Sequence, residues 1–326
     1  MKNQVLVSTK QVIKEAEDVK INREEIKKLA KEWTKEKIVV PDWPKGFHLE
    51  TENREQMLDY LILLDSLNFC FWPVKQPQGR SSGGRWKISY KGKEYNGYFA
   101  LSLALKKFFE ENPQKGNLRY FSDFSFKEFK KMMQGGKKLQ FLEKRWQIAR
   151  AVSRVILTKY RNSENFLKSA KNRMSVLVAK IYKELPSFYD VGDYNGKKVF
   201  ILKRAQILAC DILGAFNGKG TGRFKDPEYL TAFADYKIPQ ILHYLGILEY
   251  SPLLEKKIKD KVLIGSGSKK EIEIRSSTIW AVEYLKRELK KMGRELNSFE
   301  IDWVLWNKAQ EMKIGTPYHL TKTIYY

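Results

Sequence analysis

Three aspartates of this 326-residue sequence stand where an aspartate is costly. Asp235 lies in Phe233-Ala-Asp-Tyr236, directly ahead of Lys237-Ile-Pro-Gln240 and an apolar stretch. Asp302 lies in Glu300-Ile-Asp-Trp-Val-Leu-Trp306, and Asp211 follows Arg204-Ala-Gln-Ile-Leu-Ala-Cys. A carboxylate taken out of water costs several kcal/mol unless something pairs with it, so each needs a reason to be there. The structural reason for Asp235 is a helix N-cap, its oxygen accepting from N–H groups near Lys237 and Ile238. For Asp302 it is the dipole of a helix start or a lysine partner. For Asp211 it is a buried arginine such as Arg204 or Arg275. The chemical reason is shared: carboxylates among aromatic rings suit a carboxylate-dependent hydrolase.

Other chemistries lack their residues. The sequence has no G-x-x-x-x-G-K-[ST] loop, no G-x-G-x-x-G and no H-E-x-x-H pair, and Gly218-Lys-Gly220-Thr-Gly222 has the wrong spacing for a phosphate cradle. The three histidines, His48, His243 and His319, are far apart without metal-ligand spacing, so no metal is expected. Cys70 and Cys210 sit in apolar runs and read as buried thiols of a reducing compartment.

The elements that must position these residues are overwhelmingly helical. Apolar residues recur at helical period over 53–71, 98–110, 139–160, 165–185 and 278–292, with a last helix expected over 297–312. Ser125 and Glu128 form a capping-box pattern opening a helix at 126–133. Strand signals are few: residues 86–95 alternate about Lys91-Gly92 as one small β-hairpin, and 272–274 could be a short extended piece. Breaks rich in glycine, serine or lysine fall at 78–84, 135–136, 218–222 and 265–268, none long enough for an interdomain linker. The expectation is a mainly α fold, a single domain over 1–326 with two lobes around a cleft.

Lys+Arg 61 against Asp+Glu 38 gives a net charge of +23. Such a field attracts polyanions, but the lysines are dispersed as pairs over candidate helix faces and form no single stripe, which favours a solvated surface that also serves a small phosphorylated ligand. No uncharged apolar stretch approaches the roughly 20 residues of a membrane span, and the first twenty residues have scattered charges and no apolar core of a signal peptide. A cytoplasmic protein is expected.

The chain resembles the queuosine-salvage family of nucleotide N-glycosylases. The matching segments, in the family's order, are Leu67-Asn-Phe-Cys-Phe-Trp72, Tyr95-Asn-Gly-Tyr98, Lys203-Arg-Ala-Gln-Ile207 and Phe233-Ala-Asp-Tyr-Lys-Ile-Pro-Gln240. They continue with Glu273-Ile-Arg275, Ile279-Trp280, Ile301-Asp302, Leu305-Trp306, Pro317-Tyr-His319 and Ile324-Tyr-Tyr326. The resemblance implies a helical fold similar to the helix-hairpin-helix DNA glycosylases. It implies hydrolysis of queuosine 5′-monophosphate to queuine and ribose 5-phosphate for tRNA modification, without metal or organic cofactor. It puts His48, Phe233, Asp235, Asp302 and Trp303 on base-binding and catalytic positions. Position 303 is commonly tyrosine in the family, and Asn307 stands where relatives carry aspartate, which leaves a hydrogen-bonding role there but no anion.

Breaking a ribosyl–base bond passes through an oxocarbenium-like state, so Asp302 is expected nearest the anomeric carbon as stabiliser or nucleophile, with Asp235 beside it. Queuine is a 7-deazaguanine and lacks the N7 that accepts an activating proton in purines, so its departure must be assisted at other edges. A carboxylate can also pair with its cationic aminomethyl arm. Lys203 is the first candidate for the 5′-phosphate, with Arg204, Lys237 and the Lys219 loop behind it; the alternative is that Lys203 balances a buried acid. The partners expected are the mononucleotide and queuine, with the protein a monomer needing no nucleic acid. The competing readings are a nucleic-acid base glycosylase and an RNA-binding module.

Overall fold

A computed structural model describes residues 2–73, 84–312 and 314–326. The break expected at 78–84 lies, but for Gly84, outside the described residues. Among those described are fourteen α-helices and three two-stranded antiparallel sheets, so the mainly α architecture stands.

Two apolar cores organise the helices. The first joins Arg54–Ser66, Gly97–Glu111, Leu142–Tyr160, Met174–Glu184 and Lys203–Ala215; the second joins Arg23–Lys35, Lys237–Tyr244, Lys269–Lys291 and Ser298–Glu311. Local chemistry sets their ends. Asn53 accepts from Gln56 N at 3.1 Å to start Arg54–Ser66, and the Ser125–Glu128 capping box opens Phe126–Met132.

Three expectations change. The helix expected over 165–185 is two, Ser163–Lys168 and Met174–Glu184. Lys171 and Asn172 take positive φ between them, and Asp226 accepts from Met174 N at 2.6 Å to restart the chain. Residues 272–274 are not extended but lie within the 23-residue helix Lys269–Lys291. Their Glu-Ile-Glu-Ile alternation mimics a strand because the whole helix face is buried and its acids are satisfied: Glu271 by Arg275 at 3.1 Å, Glu273 by Tyr194 at 2.9 Å.

The hairpin expected at 86–95 is present as Lys87–Tyr90 paired with Lys93–Asn96, its Lys91-Gly92 turn at φ 49° and 77°. It is not alone. Val191–Tyr194 pairs with Lys197–Phe200 around Asn195-Gly196, and Val19–Ile21 pairs with the distant Leu248–Tyr250. Asn-Gly is a strong two-residue hairpin signal, obscured here by the polar residues flanking it.

Candidate active site

A cavity of about 360 Å³ opens where helices of the two cores face each other, within the size range of small-molecule sites. From the first core, Lys203, Ile207 and Asp211 line it at four-residue spacing, one face of the helix Lys203–Ala215. From the second, Asp302, Trp303, Trp306, Asn307 and Gln310 line it from one face of Ser298–Glu311. Phe233 and Asp235 lie between.

The segment 233–235 is fixed residue by residue. Phe233 N donates to Asp302 Oδ1 at 2.8 Å. The Ala234 carbonyl accepts from Arg275 Nε at 2.9 Å. Asp235 Oδ1 accepts from Lys237 N at 2.6 Å and Ile238 N at 3.1 Å, so the capping role is real. It coexists with a place on the cavity wall. Arg275 is itself locked by Asp190 at 2.7 and 2.9 Å and by Glu271 at 3.1 Å. Asp190 in turn accepts from Lys203 N at 3.0 Å, so one buried ion cluster sets both the Phe233 segment and the start of the Lys203 helix. Leu202, just before it, holds the left-handed φ of 55°, a conformation that persists only where surroundings enforce it.

Asp302 is buried and has neither of the partners expected of it. It lies in the second turn of its helix, and no lysine bridges to it among the described residues. Burial pushes its carboxyl up to about 8; the Phe233 N–H works against this, and neighbouring Asp235 adds to it. Its surroundings therefore favour the protonated form well above the usual carboxylate range. Asp235 faces the start of the helix Lys237–Tyr244, where backbone dipoles complement negative charge.

Asp211 pairs with neither Arg204 nor Arg275. Arg204 donates to the carbonyls of Asp65, Ser66 and Ser187, which fixes the loop after Arg54–Ser66 and leaves it no reach to a ligand. Asp211 instead accepts from Trp43 Nε1 at 3.2 Å and from the Tyr98 hydroxyl at 3.3 Å, and it hydrogen-bonds Asp65. Burial lifts Asp211 to about 6. It lifts Asp65 well above the carboxylate range, with the Asp211 charge as the next cause.

His48 does not line the cavity. It stacks on Trp43 at 4.0 Å, and its Nε2 lies 3.3 Å from the Tyr98 oxygen. Tyrosine has one proton; given to Asp211, it leaves the phenol oxygen to accept from His48 Nε2–H. Nδ1 is then unprotonated, and it has no partner among the described residues. Burial, then Lys106, depresses His48 to about 3, so the ring is neutral.

Lys203 lines the cavity at 5 % exposure, with no ion pair or side-chain hydrogen bond among the described residues. The residues outside that set carry no carboxylate side chain. Burial lowers Lys203 from its usual range; Asp235, then Asp65, oppose this. Another cationic group lies at the wall formed by Tyr236 and Tyr318, whose rings are 4.7 Å apart. Arg85 donates to the Tyr318 hydroxyl at 3.0 Å, and the Lys237 ammonium lies 5.8 Å from that ring. Burial and then the like charge of Arg85 lower Lys237. Lys219 is not part of the lining. Asn307 Nδ2 donates to Trp303 O at 2.9 Å.

Of the residues singled out in the sequence, Asp235, Asp302, Phe233, Trp303, Asn307 and Lys203 line one cavity, and His48 lies behind the wall made by Trp43 and Tyr98. Sequence reasoning gave no site role to Asp65, Tyr98, Trp43, Arg85 or Tyr318. For Asp65 a signal existed, an acid directly after the apolar run Leu61–Leu64; for Arg85 there was none.

Two carboxyls joined through Phe233, one favouring its protonated form and one at a helix start, in an aromatic cavity, define a site for acid–base chemistry on a flat ligand. A family described as queuosine salvage protein matches residues 47–326. A queuosine 5′-phosphate N-glycosylase/hydrolase of Sphaerobacter thermophilus is 37% identical over 324 residues, 99% of this chain and 97% of the relative. Proteins of the same name from Dictyostelium discoideum and Mus musculus are 34% and 33% identical, covering 99% and 83% of this chain and 94% and 82% of their own. The chain belongs to the queuosine salvage family.

Proposed function

We propose that this protein is an N-glycosyl hydrolase that splits queuosine 5′-monophosphate into queuine and ribose 5-phosphate. The observation that carries this is the division of labour between Asp302 and Asp235. A group whose surroundings favour its protonated form stands beside a carboxylate that faces backbone N–H dipoles. The bond between C1′ and the base breaks as Asp302 gives its proton to the leaving base, which has no N7 to receive one. Positive charge develops at C1′ and Asp235 stabilises it. Water then adds its hydroxyl to C1′, and its remaining proton restores the acid. The anionic role expected of Asp302 from the sequence thus passes to Asp235.

Phe233 and Trp303 present ring surface to the base, worth roughly 1–3 kcal/mol per stacked base. Asn307, with one of its two amide hydrogens donated to Trp303 O, offers its oxygen to a donor edge. The 5′-phosphate goes to Arg85, Lys237 and the Tyr318 hydroxyl, two cations that meet at one ring of the wall, whereas Lys203 is buried among Asp235, Asp65 and Asp302. His48 acts through Tyr98. In this reading residues 1–326 work as one cytoplasmic monomer on a small molecule, with the helix-hairpin-helix likeness belonging to the same proposal.

The test is incubation of the purified protein with queuosine 5′-monophosphate and no polymer, read by mass spectrometry. Free queuine and ribose 5-phosphate in equal amounts are expected. Release only from an oligonucleotide or tRNA would instead make this a nucleic-acid glycosylase.

A further inference from the structure

The interior of the cavity holds more carboxyl groups than hydrolysis needs. Asp302 and Asp235 serve the bond being broken; Asp211 and Asp65 lie on the other helix pair and have no part in that step. Their arrangement is built. Asp211 reaches the cavity wall and collects every donor nearby, the Trp43 indole N–H at 3.2 Å, the Tyr98 O–H at 3.3 Å and a hydrogen bond with Asp65. Behind Tyr98 the neutral His48 donates onward in the same direction. Asp65 is the opposite case. It accepts only a 3.4 Å contact from Asn68, and its Oδ2 is buried with no conventional donor. Two adjoining buried carboxyls cannot both be ionised cheaply, so one keeps a proton. Asp65, whose Oδ2 finds no donor, is the one that keeps it, and it hydrogen-bonds Asp211. The pair then carries one negative charge, and Asp211 holds it.

Asp211 makes no ion pair among the described residues, and Lys203 acts on it from the start of the same helix. Lys203 is the buried ammonium on this lining, unpartnered among the described residues, and Asp235 outranks Asp65 as the charge acting on it. Asp211 is left to receive a cation from the ligand, while Arg85 and Lys237 gather at Tyr318.

Resting on the reading of the substrate given above, we propose that Asp211 is the specificity residue for the base's side arm, receiving its protonated secondary amine while Asp65 holds the pair at a single charge. Both ends of the ligand then meet opposite charge, phosphate at the basic wall and ammonium at Asp211.

The test compares queuosine 5′-monophosphate with 7-deazaguanosine 5′-monophosphate, which lacks the arm, by kcat/KM in the wild type, Asp211→Asn and Asp65→Asn. Charge-assisted hydrogen bonds predict that the ratio of armed to armless efficiency falls about ten- to a hundredfold in Asp211→Asn. The ratio stays near the wild-type value in Asp65→Asn, because an amide there still donates to Asp211. An unchanged ratio in Asp211→Asn, with both substrates slowed alike, overturns the proposal and makes Asp211 a structural or ribose-binding group. If that variant does not fold, wild-type affinities decide: queuine should bind at least tenfold more tightly than 7-deazaguanine, and equal affinities overturn the proposal. Failure of the wild type to release queuine at all would instead defeat the underlying hydrolase reading.

Discussion

Asp302 and Asp235 are the same residue type, and their surroundings make them different reagents. Asp302 holds its proton up to about pH 8, whereas an exposed aspartate releases it near 3.8. Between those values the folded state binds a proton that the unfolded state has lost, so this residue's contribution makes stability fall as pH rises through the window. Asp302→Asn keeps the oxygen that accepts from Phe233 N and removes the titration. The variant should melt higher than wild type at pH 7–8 while turnover drops about 10²–10⁴-fold, the usual worth of a positioned acid. Wild-type kcat should decline above pH about 8. Thermal melts and rates across pH check all three, and parallel melting profiles for the two proteins would remove the buried proton from the account. The basic wall makes a separate prediction. Lys237→Ala should lower efficiency on the monophosphate about ten- to a hundredfold and hardly affect the nucleoside. Lys203→Ala should impair both equally, because it sits among the carboxyls and away from the phosphate.

The elements owe their placement to buried arginines that a sequence shows only as charges in apolar company. Arg275 joins Asp190, Glu271 and the Ala234 carbonyl. Removing one partner of such a cluster typically costs about 3–5 kcal/mol because the remaining charges stay buried. Arg275→Met should show that loss in chemical denaturation, with activity reduced in the protein still folded; an unchanged unfolding free energy would argue against the clamp. Much of the helical frame was legible because one face of each helix is apolar. The spacing of Lys203, Ile207 and Asp211 was legible too. The split at 169–173 was not, since it depends on Asp226, more than fifty residues away. Nor were the partners of Asp211, because Trp43 and Tyr98 arrive from distant segments. Protonation states were out of reach altogether: they depend on burial, which one-dimensional spacing does not express.

At the scale of the molecule the charge of +23 is spread over ion-paired helix surfaces, with many pairs at i,i+3 or i,i+4. Such exposed pairs contribute little stability each. The surplus of Lys+Arg over Asp+Glu makes a field that draws an anionic nucleotide in, so added salt should raise KM modestly and leave kcat alone. A protein that needed a polyanion would instead lose about 10³–10⁵ in affinity between 50 and 200 mM salt. Titrating salt in the mononucleotide assay separates the two.

The three-point attachment of residues 233–235 has a consequence for how this pocket can diverge. A change within that tripeptide has to be accommodated by three elements at once, so the bond-breaking apparatus is a shared fixture of the frame. Trp303 and Asn307 hang from one helix face, and Asn307 Nδ2 bonds the Trp303 carbonyl of the same helix. A change at either position meets fewer fixed neighbours than one at 233–235, so the wall that reads the ligand can alter while the means of releasing the base stays as it is.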